Sequence, residues 1–310
     1  MGETPPAGMS WLFFAFCGPV LWALSVHLDK YLVERYFKNT GVSTLMIFAA
    51  AFALLMLPVL WVLRPHVVAV DIADAGAIAA SGVLYMGALF FYLQALQVEE
   101  ASVVAPFFQA APIFGYVLSY VVLGESLTLG QAFGGLMIIG GTALLSIRAD
   151  KPRMMMKLRL IALMLTCALS MSVAALIFKI FAIADEFWTA TFWSFVGQVG
   201  FGAGLLAPSA SRKQLANLIR SGAGRVLGIS GVNELVNLTG TLGARYALLL
   251  APLSLVQAVA STTSLFVFLF GVILSIVAPG FGEEDLSTRN LIQKAVSAIL
   301  VAIGVIFINR

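Results

Sequence analysis

In the stretch SGVNELVNLTGTLGARYALLL, the residues Ser230, Glu234, Asn237, Thr241 and Arg245 follow one another at intervals of four, three, four and four. At about 100° per residue this spacing gathers them onto one narrow face of a helix. The other letters are those of a membrane-crossing segment. A carboxylate in hydrocarbon costs about 2.5–3.5 kcal/mol on insertion scales, so the stripe is expected to face protein or water rather than lipid. Two chemistries suit Glu234 in that setting: taking up and releasing a proton, or holding an ammonium group. The amides of Asn233 and Asn237 beside it would then hydrogen-bond polar atoms of a bound molecule. A structural reading stands next to these, in which Glu234 pairs permanently with Lys179 or a donor on another helix and serves as glue between helices.

Further polar positions occur at helical spacing inside apolar runs. Ser254, Gln257, Ser261 and Ser264 share a face, and a shift of 152 residues lays them over Ser102, Ala105, Gln109 and Pro112. Gln109 and Ser261 thereby become paired candidates for solute contact, as does Gln257, with hydrogen bonding to neighbouring backbone as the plain alternative. Tyr85 and Tyr92, seven apart, lie on one face; aromatic walls suit an amphipathic solute and also occur at ordinary helix contacts. Lys179 lies close to the end of its apolar run, within snorkelling reach of the interface. His27 has no histidine partner in sequence, so a proton relay there has thin support. Trp188 and Trp193 read as interface anchors. Gly200 and Gly204, four apart, would permit close helix contact.

The elements that position these residues follow from composition. Of 310 residues, 61% are apolar and 11% charged, against roughly 45–50% and 25% in an ordinary soluble domain. A hydrocarbon layer about 30 Å thick needs roughly 20 apolar helical residues. Apolar runs and their Gly, Pro and charged punctuation give ten candidate spans, near 11–33, 42–63, 72–96, 102–123, 129–147, 159–182, 187–207, 225–249, 253–277 and 289–309. The expected fold is therefore an all-α integral membrane protein. A short amphipathic piece, with Leu215, Leu218 and Ile219 opposite Arg212, Lys213 and Arg220, falls between spans seven and eight and suits the headgroup region. Cys17 and Cys167 each lie within an apolar run, as small buried residues do.

A weak internal repeat divides the chain. ALQVEEASVVAPFFQ aligns with ALLLAPLSLVQAVAS at a shift of 152, Cys17 with Cys167 at a shift of 150, and GESLTLGQAFGGLMIIGG answers GEEDLSTRNLIQKAVSAILVAIG. An odd number of spans per repeat inverts the second half relative to the first. The boundaries are 11–148 for the first five-helix repeat, 149–158 for a basic linker and 159–309 for the second repeat. Basic residues concentrate after odd-numbered spans, which puts the linker in the cytoplasm and both termini outside. The first ten residues lack a basic signal-peptide region, so the first span is expected to be retained.

The run LQALQVEEASVVAPFFQAAPIFGYVLSYVVLGESLTLGQAFGGLMIIGGTALLSI resembles the end of an EamA domain of the drug/metabolite transporter superfamily. The features that carry the resemblance are the small-residue turn before span four, Pro106 and Pro112 within it, the LGESLT turn and the Gly-rich helix GGLMIIGG. It extends over nearly the whole chain as five plus five helices and is thinner in the second half, where GFGEEDLST lengthens the turn. The resemblance implies a multi-pass inner-membrane carrier that moves a small metabolite by alternating access. The expected solute is polar or amphipathic, such as an amino acid, exported or exchanged, with proton coupling through Glu234 as one option. Membrane lipid surrounds such a carrier, which is expected to be a monomer or weak dimer.

Other classes fit less well. A nucleotide-sugar or sugar-phosphate exchanger needs several basic side chains in its cavity, and Lys179 and Arg245 are the only candidates. A lipid-modifying enzyme needs a catalytic set at one membrane face, whereas the acidic clusters VEE at 98–100 and EED at 283–285 have no histidine nearby. No catalytic residues, cofactor or metal site are expected, since the sequence carries neither a GxxxxGK[ST] phosphate loop nor grouped metal ligands. A net charge of +3, spread along the chain, gives no reason to expect nucleic acid.

Overall fold

The computed structural model describes residues 10–35, 42–98, 107, 110–146, 158–184, 186–220, 223–277 and 288–308. Gln109, Pro106, the 149–157 part of the linker and the acidic cluster at 283–285 lie outside the described residues.

The described residues are helical throughout, apart from turns. In chain order the helices are α1 (Ser10–Arg35), α2 (Val42–Leu63), a single 3₁₀ turn at Pro65–Val68, α3 (Ile72–Val98), α4 (Ala110–Leu123), α5 (Leu129–Ser146), α6 (Leu158–Ala184), α7 (Phe187–Leu205), α8 (Ser209–Arg220), α9 (Ala223–Leu250), α10 (Leu253–Ala260), α11 (Thr263–Val277) and α12 (Thr288–Ile308). Five segments are long and apolar enough to cross a membrane: Trp11–Leu28, Met46–Leu63, Ile72–Ala95, Leu160–Ala184 and Leu253–Leu274. Shorter apolar helices cover Ala110–Leu123, Leu129–Leu144 and Ala295–Ile308. Large hydrophobic side chains line the outer surface, among them Leu55, Val62, Val121 and Leu129. That is the surface of a protein whose solvent is lipid.

Helix contacts are made through small residues, as expected where lipid removes the hydrophobic drive between helices. α1 packs along α9, α3 along both α6 and α7, α2 along α7, α4 along α6 and α10, and α5 along α12. At the α3–α7 crossing, a Cβ added to Gly82 would overlap the Ser194 carbonyl oxygen, and one added to Gly197 would overlap that of Ala79. Gly134 and Gly304 stand in the same reciprocal relation across α5 and α12. The glycine pair expected to make close contacts in α7 was Gly200 and Gly204. Both face open space; Gly197 and Gly202 make the contacts, the latter against Ala50 of α2.

The expected ninth span, 253–277, is broken. α10 ends at Ala260 and α11 begins at Thr263. The hydroxyls of Ser261, Thr262 and Thr263 donate to the carbonyls of Ala258, Val259 and Ala260 at 2.6, 2.7 and 2.7 Å, and Thr262 N donates to Val259 O at 2.9 Å. A run of hydroxyl residues bonding three positions back competes with the α-helical ladder and tightens the turn.

Candidate functional site

The stripe of α9 faces inward. Val232, Leu235 and Tyr246 are exposed along one side of the helix, and Ser230, Asn233, Ala244 and Ala247 are buried along the other. Glu234, Asn237, Thr241 and Arg245 are half-buried. At about 100° per residue they border the buried side and point well away from the exposed one.

Tyr85 of α3 meets this stripe. Its hydroxyl hydrogen-bonds Thr241, and the charges of Arg245 and Glu234 both act on it. From α1, Trp22 Nε1 donates to Thr241 Oγ1 at 3.2 Å. The phenol and the Trp22 indole thus meet at the same Thr241 hydroxyl. Gly82, one turn before Tyr85, is the residue that lets the α7 backbone come up against α3 at Ser194. Ser194 Oγ in turn accepts Arg245 Nη2 at 2.9 Å. A single close helix crossing therefore sets both Tyr85 and the anchor of Arg245. The guanidinium carbon also lies 4.5 Å from the Phe178 ring centroid and 5.9 Å from that of Phe195, within cation–π range. Arg245 Nη1 is buried and has no hydrogen-bond partner among the described residues.

Lys179 does not go to Glu234. It is 4% exposed, forms an ion pair with Glu125, and donates from Nζ to Ala251 O at 2.7 Å. The second oxygen of Glu125 accepts Leu253 N at 3.0 Å, the first amide of α10. A carboxylate at a helix N-terminus satisfies an orphan donor and meets the positive end of the dipole. Glu125 therefore ties together the α4–α5 turn, α6 and the α9–α10 junction. In the sequence Glu125 stands out only as part of the LGESLT turn. The signal that could have found it is the acid itself, placed next to Gly124, whose φ of +66° ends α4 sharply.

The α10 face forms a second polar group. Gln257 Nε2 donates to Ser172 Oγ of α6 at 3.3 Å, and Ser172 donates to Ala111 O of α4 at 2.9 Å. Gln257 Oε1 and Ser254 Oγ are buried without a hydrogen-bond partner among the described residues. Gly115 of α4 makes room for the amide, since a Cβ there would overlap Gln257 Oε1. Ser261 is spent on the helix break, with a further contact to Thr142 at 3.4 Å. α6 links the two groups: Ser172 serves the second, Phe178 covers Arg245, and Lys179 closes the end.

Other candidates take structural places. Tyr92 packs with Ala88, Ala95, Met164 and Cys167 in an α3–α6 cluster. Trp193, read as an interface anchor, instead packs against the core and donates to Val67 O at 2.9 Å. His27 Nε2 lies 2.9 Å from Val267 O and joins α1 to α11. No group of three His, Cys, Asp or Glu side chains able to hold a metal occurs among the described residues.

The apolar helices thus carry charged and polar side chains that are turned toward one another. Residues 9–147 match the EamA-like transporter family. That match covers less than half of the chain and marks residues 9–147 as similar to this family of membrane transporters. A solved structure described only as "Crystal structure of protein" superposes with a TM-score of 0.68 over 96% of both chains at 16% identity, which establishes a shared fold. No curated protein matches the chain.

Proposed function

We propose that the protein is a secondary carrier that exports or exchanges a small polar or amphipathic metabolite, such as an amino acid, across the inner membrane by alternating access. The observation that carries this reading is the inward stripe of α9, whose Thr241 accepts Trp22 Nε1 at 3.2 Å and whose Arg245 donates to Ser194 at 2.9 Å. Glu234 takes the ammonium end of the solute or a proton, and Asn233 and Asn237 hydrogen-bond its polar atoms. A sugar phosphate or nucleotide sugar fits less well, because Glu125 already neutralises Lys179.

Two inverted five-helix repeats, 11–148 and 159–309, joined by the basic linker, supply the moving parts in this reading. The helix pairings support it. Exchanging α1 with α6 and α3 with α9 converts the α1–α9 contact into the α6–α3 contact, and both are extensive. The α5–α12 and α2–α7 contacts each map onto themselves. Such exchange is what a pseudo-two-fold axis in the membrane plane produces.

Reconstitution in liposomes tests the carrier reading. Preloaded vesicles should show counterflow of at least one amino acid, and Glu234→Gln should reduce it at least tenfold. Counterflow with no amino acid in the panel, or full activity of Glu234→Gln, would overturn the assignment.

A further inference from the structure

Lys179 and Arg245 both carry their charge into the interior, but the protein treats them differently. Lys179 has a carboxylate, Glu125, and a backbone carbonyl. Arg245 has one serine hydroxyl on Nη2 and two aromatic faces, with no carboxylate paired to it among the described residues. Its Nη1 is buried without a hydrogen-bond partner. A buried donor of this kind is a standing cost to the fold, larger when the group is charged. Natural proteins tend to carry such costs at functional sites.

We propose that Arg245 is the subsite for the solute's carboxylate, with Nη1 the donor reserved for it. This rests on the carrier reading above. The charge count favours a monoanion: one guanidinium with its Nη1 amino group unused matches a carboxylate, whereas a phosphate dianion calls for a second cation, and Lys179 is already neutralised. Phe178 and Phe195 exclude water from the guanidinium without competing for its N–H groups, which strengthens an ionic hydrogen bond formed there. Ser194 fixes the orientation of the group through Nη2 and leaves Nη1 to the ligand.

The test uses the full-length protein in liposomes and pairs each of the amino acids leucine, phenylalanine and threonine with its amide, which keeps the ammonium group and lacks the carboxylate. Counterflow and ligand-induced thermal stabilisation are read in parallel. The expected result is at least a tenfold preference for acid over amide in the unmodified protein. Arg245→Gln should abolish that preference by lowering acid uptake to the amide's level, and Arg245→Lys should retain part of it. Equal handling of acids and amides by the unmodified protein, or a preference that survives Arg245→Gln, overturns the proposal while leaving the carrier reading intact. Movement of phosphate esters in place of amino acids also overturns it. Failure to move any solute sinks the carrier reading and this subsite with it. Should Arg245→Gln not fold, the acid-to-amide ratio of the unmodified protein still decides.

Discussion

Glu125 and Lys179 form a pair whose energetics are predictable from burial. Lys179 is almost fully enclosed, and its side chain and that of Glu125 are 5% and 18% exposed. Removing either partner leaves an uncompensated charge, for which losses of about 3–5 kcal/mol are typical. Lys179→Met and Glu125→Gln should each lower the unfolding temperature in detergent, and the double variant should fall well short of the sum of the two losses. Additive losses would show that the two side chains are not coupled. Glu234 behaves differently because it is only half-buried on the stripe. Glu234→Gln should leave the unfolding temperature within a few degrees of the original while removing any dependence of counterflow on a pH gradient. A retained pH dependence would place the proton elsewhere. The stripe itself was legible because its residues obey a helical period against an apolar background. The Lys179 partner was not, because Glu125 lies 54 positions away in a turn and no local pattern links the two.

At the scale of the helix, the spans were readable from apolar length, and the boundaries of α2, α3 and α9 fall within two residues of those expected from punctuation. The break between α10 and α11 was not, since Ser261, Thr262 and Thr263 are tolerated within an apolar run and only their hydroxyl geometry marks the turn. Glycine contacts were equally opaque. Gly197, Gly200, Gly202 and Gly204 look alike in sequence, and which of them meets a neighbour depends on how α7 is rotated against α2 and α3. The structure makes the distinction testable. Gly197→Leu should force α7 away from the Ala79 backbone and destabilise the protein by several degrees, whereas Gly200→Leu faces open space and should be nearly neutral. Thermal unfolding in detergent compares them directly, and equal effects would contradict the rotation of α7 described above.

For the whole molecule, the positive charge of the linker and of α8 predicts one cytoplasmic side. A reporter inserted at Pro152 should be protected from external reagents in intact cells, and one inserted at Val68, between α2 and α3, should be accessible. The opposite result would invert the topology. The family resemblance was legible in the first half, where the LGESLT turn is tight, and the family match covers residues 9–147.

The Gly82–Gly197 crossing has a mechanical meaning. Where two backbones touch with no side chain between them, a larger residue at Gly82 or Gly197 would drive α3 and α7 apart. Tyr85 and Ser194 flank that contact, while Thr241 and Arg245 belong to α9. The Arg245–Ser194 bond therefore pins α9 to the crossing, a rivet whose seat is made by missing side chains. Paired spin labels on α3 and α7 should report a wider separation in Gly82→Leu than in the unmodified protein.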